Sequence, residues 1–309
     1  MEQTSLHMYI IAYNEQQNIG SLIRSLSSQT VHARYPIKIT VVTDGSTDYT
    51  NKIVLKAIKR YPYVTLQQFY SNKGKLFRLN QIFRKNTSDI LIILDADIFI
   101  INDNFIEQLV SKIASNKHIV LSAAHATPIL PKRFKGRLVA SCFLTWDYIR
   151  LSIPRYDSVH NFSSQATAYR NSFAKKLFIP SSATEERIYI YLMAKRENEQ
   201  GFYYEKNAQI KFFPITTIND FVLLTKRTFG KKQTVLDNLF GFETETILRV
   251  PIKYKLIGIL RSFLAYPLLT PIGLFLNFLL PKITLMRKNI TSSSWERSDS
   301  TKLDFNYEN

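Results

Sequence analysis

Ile90-Leu91-Ile92-Ile93-Leu94-Asp95-Ala96-Asp97 is the stretch on which the reading of this chain turns. Its first five residues are apolar and unbroken, which suits a short strand buried on both faces. Two carboxylates follow at once, two positions apart. Side chains alternate along an extended chain, so Asp95 and Asp97 can face the same way. Such a pair suits a hard divalent cation, Mg2+ or Mn2+, that also takes phosphate oxygens. It could equally do no more than cap the next element, so its company has to decide.

Upstream, strand-like and helix-like segments alternate. Met8–Tyr13, Ile37–Thr43 and Val64–Phe69 read as strands, and Ile19–Leu26 and Lys75–Arg84 as helices. Downstream, Phe105–Ser115 reads as helix and Ile119–Ala124 as strand. This alternation implies a mostly parallel sheet flanked by helices. Ligands of such sheets bind at the carboxyl ends of the strands. Tyr13-Asn14-Glu15, Asp44-Gly45-Ser46 and Asp95-Ala96-Asp97 each follow a strand, so all three are expected on one rim. Asn72-Lys73-Gly74-Lys75 lies between the third strand and its helix, where a glycine and a lysine suit a diphosphate. A turn with a helix N-cap, or a solvated basic loop, would account for these groups one at a time.

From about residue 128 to 180 the pattern is less regular. Residues 183–199 read as a helix that opens on the acidic pair Glu185-Glu186. Ser262 to Leu280 carries no charge and has about the length that crosses a bilayer core. Lys253, Lys255 and Arg261 precede it, and Lys282, Arg287 and Lys288 follow. Pro267 and Pro271 argue against one straight helix. A kinked span, a re-entrant hairpin and an interfacial helix all remain open, as does a buried helix of a soluble core. The tail from residue 291 is polar and reads as a flexible end.

Lysine and arginine outnumber acids 41 to 24, for a formal charge of +17. That balance suits a polyanionic neighbour: nucleic acid, an anionic membrane surface or phosphorylated substrates. The single cysteine, Cys142, excludes an internal disulfide and a thiolate zinc site, and suits a reducing compartment. It reads as a packing residue, and His125 and His160 as structural. The N-terminus reads as the first strand and not as a signal peptide.

Five pieces, in order, resemble family 2 glycosyltransferases of the GT-A fold: IIAYNEQQNIGSLIRSL, VVTDGSTDYT, NKGKLFRLN, ILIILDADI and ATEERIYIYLMAKRENEQGF, over residues 8 to 205. The resemblance implies inverting transfer of a sugar from a nucleotide-diphosphate donor, often a UDP-sugar, with a divalent metal, Mg2+ or Mn2+. It places Tyr13 and Glu15 at the nucleotide pocket, Asp44 at the uracil or ribose, Lys75 near the diphosphate and Asp95 near the sugar or ribose. Asp97, with Asp95 beside it, matches the metal ligand. Glu186 matches the general base, with Glu185 in reserve, although the family usually has aspartate there. Ser163-Ser164-Gln165 and Arg170 stand where the family often has a glycine and paired arginines. Lys226-Arg227-Thr228-Phe229 is a degenerate echo of the motif of processive synthases. Arg227 could still reach the diphosphate, and single transfer is expected over polymerisation.

The expected layout is a GT-A catalytic domain at 1–230, membrane-associated helices at 231–290 and the tail at 291–309. The catalytic domain should face the cytoplasm, with a membrane lipid or glycan as acceptor and an anionic membrane surface as partner. A nucleotidyltransferase of related fold is disfavoured, because Tyr13-Asn14-Glu15-Gln16 replaces a glycine-rich loop. A nucleic-acid-binding protein is disfavoured by the lack of a zinc pattern or aromatic RNA-binding motif. A non-catalytic membrane scaffold is disfavoured by the full set Asp44, Asp95, Asp97 and Glu186.

Overall fold

The computed structural model describes residues 4–154, 157–181, 186–229 and 234–280. The chain divides into two compact units, Met1–Ala126 with Asp157–Lys211, and Thr127–Tyr156 with Phe212–Asn309.

The first unit is built on a sheet whose strands are β1 (Leu6–Ala12), β2 (Ile37–Asp44), β3 (Val64–Phe69), β4 (Ile90–Asp95), β5 (Ile98–Ile100), β6 (Leu121–Pro128), β7 (Ala166–Arg170) and β8 (Phe202–Phe212). Their order is β3-β2-β1-β4-β7-β6-β8-β5. β3, β2, β1 and β4 pair in parallel, as the alternation of segments implies. β7 runs antiparallel to both β4 and β6, which makes the sheet mixed. The strands of the parallel half are apolar on both faces because helices cover both.

Helices α1 (Ile19–Ser27), α2 (Thr50–Ile58), α3 (Lys75–Lys85) and α4 (Phe105–Ser115) follow β1, β2, β3 and β5. On α1 the buried residues are Ile19, Leu22, Ile23 and Leu26, one stripe at helical spacing. They join Ile90, Ile92 and Leu94 of β4 and Ile106, Leu109 and Ile113 of α4 in the main core. Leu91, Ile93 and Asp95 therefore take the opposite face of β4.

The stretch that looked irregular in sequence contains α5 (Phe134–Arg150), a helix of 17 residues. Its apolar positions do not form one stripe, so periodicity could not reveal it. Helices α6 (Asn171–Ala174) and α7 (Glu186–Glu197) complete the first unit. The second unit adds α8 (Ile218–Phe229), α9 (Thr234–Phe240), α10 (Ile252–Ala265) and α11 (Leu269–Leu274), the last continued by a π-helical turn, Phe275–Leu279. Val139, Cys142, Ile215, Phe221 and Leu276 form a small core there. Burial pushes the Cys142 thiol up to about 12, in keeping with a packing residue.

The uncharged stretch from Ser262 to Leu280 is not one helix. It breaks at Tyr266, where the backbone leaves helical geometry, and Pro267 follows. Pro271 falls in the first turn of α11, where no intrahelical donor is needed. Among the described residues no helix is long and apolar enough to cross a membrane. Lys282, Arg287, Lys288 and the tail at 291–309 lie outside the described residues.

Candidate active site

The rim of the parallel strands is tied together by polar contacts between the loops. Asn14, just past β1, has a positive φ of 53°. This left-handed turn is one that asparagine tolerates. Its backbone N–H donates to the Ser46 hydroxyl (3.0 Å), and its side-chain oxygen accepts the Thr47 N–H (2.7 Å). The Glu15 N–H donates to Thr50 Oγ1 (2.7 Å), and the Gln16 N–H to Asp48 Oδ2 (3.2 Å). Glu15 is buried, and its carboxylate accepts a bond from Asn18 at the start of α1 (2.9 Å). Tyr13 is exposed beside it.

Asp44, at the end of β2, is 3% exposed. Its carboxylate accepts the backbone N–H of Gly74 (2.7 Å) and of Lys73 (3.1 Å), and Arg78 Nε (2.7 Å). The Arg78 guanidinium also donates to the Ser71 carbonyl (2.9 Å) and lies 3.5 Å from the centroid of the Phe69 ring. Asp44 thus holds the loop that delivers Lys75. Gly45 makes the close approach possible. Its φ is +78°, and a Cβ there would sit 2.6 Å from the Asn72 backbone nitrogen.

Lys75, the first residue of α3, places its ammonium 2.6 Å from Asp95 Oδ1. The two side chains are 15% and 22% exposed. Burial alone would lower the Lys75 pKa, but the charges of Asp95, Glu186 and Asp97 together outweigh it and hold the amine firmly protonated. Burial raises Asp95 to about 6. Lys75 pulls it down, while Asp97 and Glu186 push it up. Two carboxylates, Asp97 and Glu186, therefore act on one Lys–Asp pair. Glu186 is the first residue of α7, and the Ser164 hydroxyl donates to its Oε1 across 3.4 Å. The Asp95 N–H donates to the Gln165 carbonyl (2.8 Å), which fixes the Ser163–Gln165 turn beside β4.

Beneath this cluster lies Tyr169 of β7, fully buried and opposite Leu91 of β4. Its hydroxyl accepts a bond from Thr167 (3.1 Å), its ring packs edge-on against Phe83, and burial pushes its pKa up, so it stays a neutral phenol.

The structure brings Lys75, Asp95, Asp97 and Glu186 into one electrostatic cluster, and Asp44 holds the Lys73-Gly74 backbone that leads into Lys75. Glu185 lies outside the described residues. Arg227 lies on α8, in the other unit, and its side chain is likewise outside the description. Sequence reading did not single out Arg78, Ser164 as a Glu186 partner, or Tyr169. Arg78 carried a weak signal, since it stands one turn after Lys75 on the same helix. Tyr169 carried none, because the antiparallel β7 was not anticipated.

Two carboxylates beside a protonated lysine offer hard oxygen donors and a cation for phosphate at the same place. Mg2+ and Mn2+ often take only one or two carboxylates, with phosphate oxygens completing the shell. The donor set fits such an ion, although Lys75 already engages Asp95 Oδ1. Among the described residues no group of three or more His, Cys, Asp or Glu is placed to hold a metal ion.

The model of glycosyl transferase family 2 matches residues 8–178. The chain superposes on a mannosyltransferase from Pyrobaculum calidifontis, solved in complex with GDP-Man and Mn2+. The TM-score is 0.55 at 17% identity, covering 93% of this chain and 79% of that one. A glucosyl-3-phosphoglycerate synthase from Mycobacterium tuberculosis, solved with Mn2+, UDP and phosphoglyceric acid, is more distant. It has a TM-score of 0.49 at 15% identity, over 72% of this chain and 78% of that one. At 17% identity the likeness to the mannosyltransferase speaks for the fold alone. No protein of curated function matches in sequence.

Proposed function

Because the chain belongs to glycosyl transferase family 2, we propose that it is an inverting, metal-dependent glycosyltransferase that takes its sugar from a nucleotide-diphosphate donor, a UDP-sugar in the first instance. The observation that carries this reading is the Lys75–Asp95 ion pair, set at the carboxyl ends of the parallel strands within the field of Asp97 and Glu186. That is where the nucleotide and its diphosphate would lie. Tyr13, Glu15 and Asp44 are assigned to the nucleotide side of the pocket. Asp44 acts chiefly through the loop it anchors, since its carboxylate is already satisfied.

In the proposed reaction an acceptor hydroxyl attacks the anomeric carbon from the face opposite the nucleotide. Glu186 takes the hydroxyl proton as the new C–O bond forms and the bond to the departing diphosphate breaks. Lys75 offsets negative charge on the leaving group. Asp97 and Asp95 would hold Mg2+ or Mn2+, which would neutralise diphosphate charge. Arg227 and Glu185 are kept as secondary candidates for the diphosphate and the base. Ser163-Ser164-Gln165 lies next to Glu186 and is the place where acceptor geometry would be set.

The catalytic region is taken as residues 1–230, followed by a membrane-associated region at 231–290. The acceptor is a hydroxyl of a membrane-linked lipid or glycan, reached from the cytoplasmic side, and one sugar is added per encounter. Support comes from the basic composition, and from the absence of any clear counterpart to the motif of processive synthases.

The decisive experiment is a panel of UDP- and GDP-sugars, each with Mn2+ or Mg2+, scored for thermal stabilisation and for hydrolysis to the nucleoside diphosphate. One donor should raise the melting temperature and be cleaved only with metal. No response to any of them would overturn the reading.

A further inference from the structure

Beside the small apolar core of the second unit, α10 and α11 bury small and polar residues. The fully buried residues of α10 are Gly258 and Ser262, and those of α11 are Thr270 and Gly273. A Cβ at Gly258 would lie 2.4 Å from the Ile149 Cα of α5, and one at Gly273 would lie 2.5 Å from the Ser141 carbonyl oxygen. The Ser262 and Thr270 hydroxyls bond each other at 2.8 Å, and the Asn277 amide donates to the Cys142 carbonyl at 2.8 Å. These helices thus meet through small and polar residues, the packing that serves where the surroundings are lipid.

A row of large apolar side chains on α10 points the other way. Ile252, Leu256, Leu260 and Leu264 recur every four residues along α10, and each is 59% to 75% exposed. Leu268 (80% exposed) and Phe275 carry the apolar surface past the break. A helix pair facing water has the opposite polarity. The charges beside this face have one sign: residues 251–280 include Lys253, Lys255 and Arg261 and no acid. The Lys255 ammonium lies 5.7 Å from the centroid of the Phe278 ring, so a cation borders the apolar surface directly.

We propose that this face docks into one leaflet of an anionic lipid bilayer, with α10 lying along the interface and its cations at the headgroups. Fourteen residues of helix reach about 21 Å, short of the roughly 30 Å hydrocarbon core, so the contact is in-plane. The inference stands on the second unit alone and does not depend on the donor or on the catalytic assignment.

The test is flotation of the full chain with vesicles of phosphatidylcholine alone, or of equal parts phosphatidylcholine and phosphatidylglycerol. The wild type should float with the anionic vesicles and bind about tenfold more weakly to the neutral ones. Leu256→Glu/Leu260→Glu/Leu264→Glu should stay unbound with an unchanged circular dichroism spectrum. Lys253→Gln/Arg261→Gln alters only exposed charge, and it should weaken binding to the anionic vesicles while leaving the neutral baseline. This second variant decides the matter if the first misfolds. A wild type that leaves both vesicles unbound overturns the proposal. Sedimentation then names the occupant: a dimer that the leucine variant splits would be a second copy, and a monomer that binds vesicles only without residues 281–309 would be covered by its own C-terminus. Binding that survives both sets of substitutions overturns it as well.

Discussion

The carboxylate of Asp44 and the guanidinium of Arg78 form a buried ion pair at 2.6 Å, with side chains 4% and 2% exposed. The pair also accepts the Gly74 N–H and donates to the Ser71 carbonyl, so it closes the 71–75 loop over the end of β2. Removing one partner strands a buried charge, which costs about 3–5 kcal/mol. Arg78→Met should therefore lower unfolding stability by that order. Asp44→Leu/Arg78→Met should lose less than the sum of the single changes. Strict additivity in urea titrations would show that the two do not act as a pair.

Gly45 makes a narrower case. Alanine there needs both a positive φ and a Cβ 2.6 Å from the Asn72 nitrogen. Gly45→Ala should destabilise the protein by at least about 1 kcal/mol and displace the loop that carries Lys75. The readouts are thermal melting and nucleotide-sugar binding. An unchanged Kd would mean that the loop tolerates the shift.

Asp95 has a folded pKa of about 6 against 3.8 in model compounds, with burial as its main cause. A carboxyl raised in the folded state stabilises it when protonated. That contribution is complete below about pH 4 and is lost as pH rises through 6. Relative to Asp95→Asn, metal-free wild type should lose stability across that window. Lys75 holds the Asp95 value down, so Lys75→Met should move the window upward. Melting temperatures between pH 4 and 8 check both signs. A difference between wild type and Asp95→Asn that ignores pH would contradict them.

His7 works in the opposite sense. It is buried, its Nε2 meets Thr40 Oγ1 at 2.8 Å, and Thr40 in turn bonds Thr65 at 2.9 Å. Burial, helped by Lys38, lowers its pKa to about 4 from 6.5. Its contribution is present above pH 6.5 and lost as pH falls toward 4, on the order of 3 kcal/mol in all. His7→Gln should flatten this acid limb. An equally steep limb in the variant would place the loss elsewhere.

Glu186→Gln and Asp97→Ala separate the proposed base from the proposed metal ligand. Glu186→Gln should cut transfer by about 10²-fold or more while donor binding persists. Asp97→Ala should weaken metal-dependent donor stabilisation as well as turnover. Wild-type turnover in Glu186→Gln would remove the base assignment and bring Glu185 forward.

The parallel half of the sheet, and the gathering of Asn14, Asp44 and Asp95 on one rim, were legible in sequence. Short apolar runs ending in polar turns are local patterns, and the crossover rules carry them into space. The direct Lys75–Asp95 ion pair was not legible, because the sequence placed the lysine only near a diphosphate and the carboxylate near a sugar and a metal. β7 was not legible, because Ala166–Arg170 is short and becomes a strand only by pairing with β4 and β6. α5 was missed for the related reason that its apolar residues form no single stripe. The uncharged stretch at 262–280 was legible as unusual, while its break at Tyr266 and the small polar residues it buries were not.

By itself, then, the sequence determined the α/β order, the family and the set of acids and lysine at the strand ends, because these depend on residues close in the chain. Only the tertiary structure decided that Asp44 spends its carboxylate on Arg78 and the 73–74 backbone, that Glu186 shares its field with Lys75 and Asp95, and that α10 turns its leucines outward. The reason is the same in each case. A side chain's partner and its exposure are set by whatever distant segment packs across from it, and that information lies in the non-local contacts of the fold.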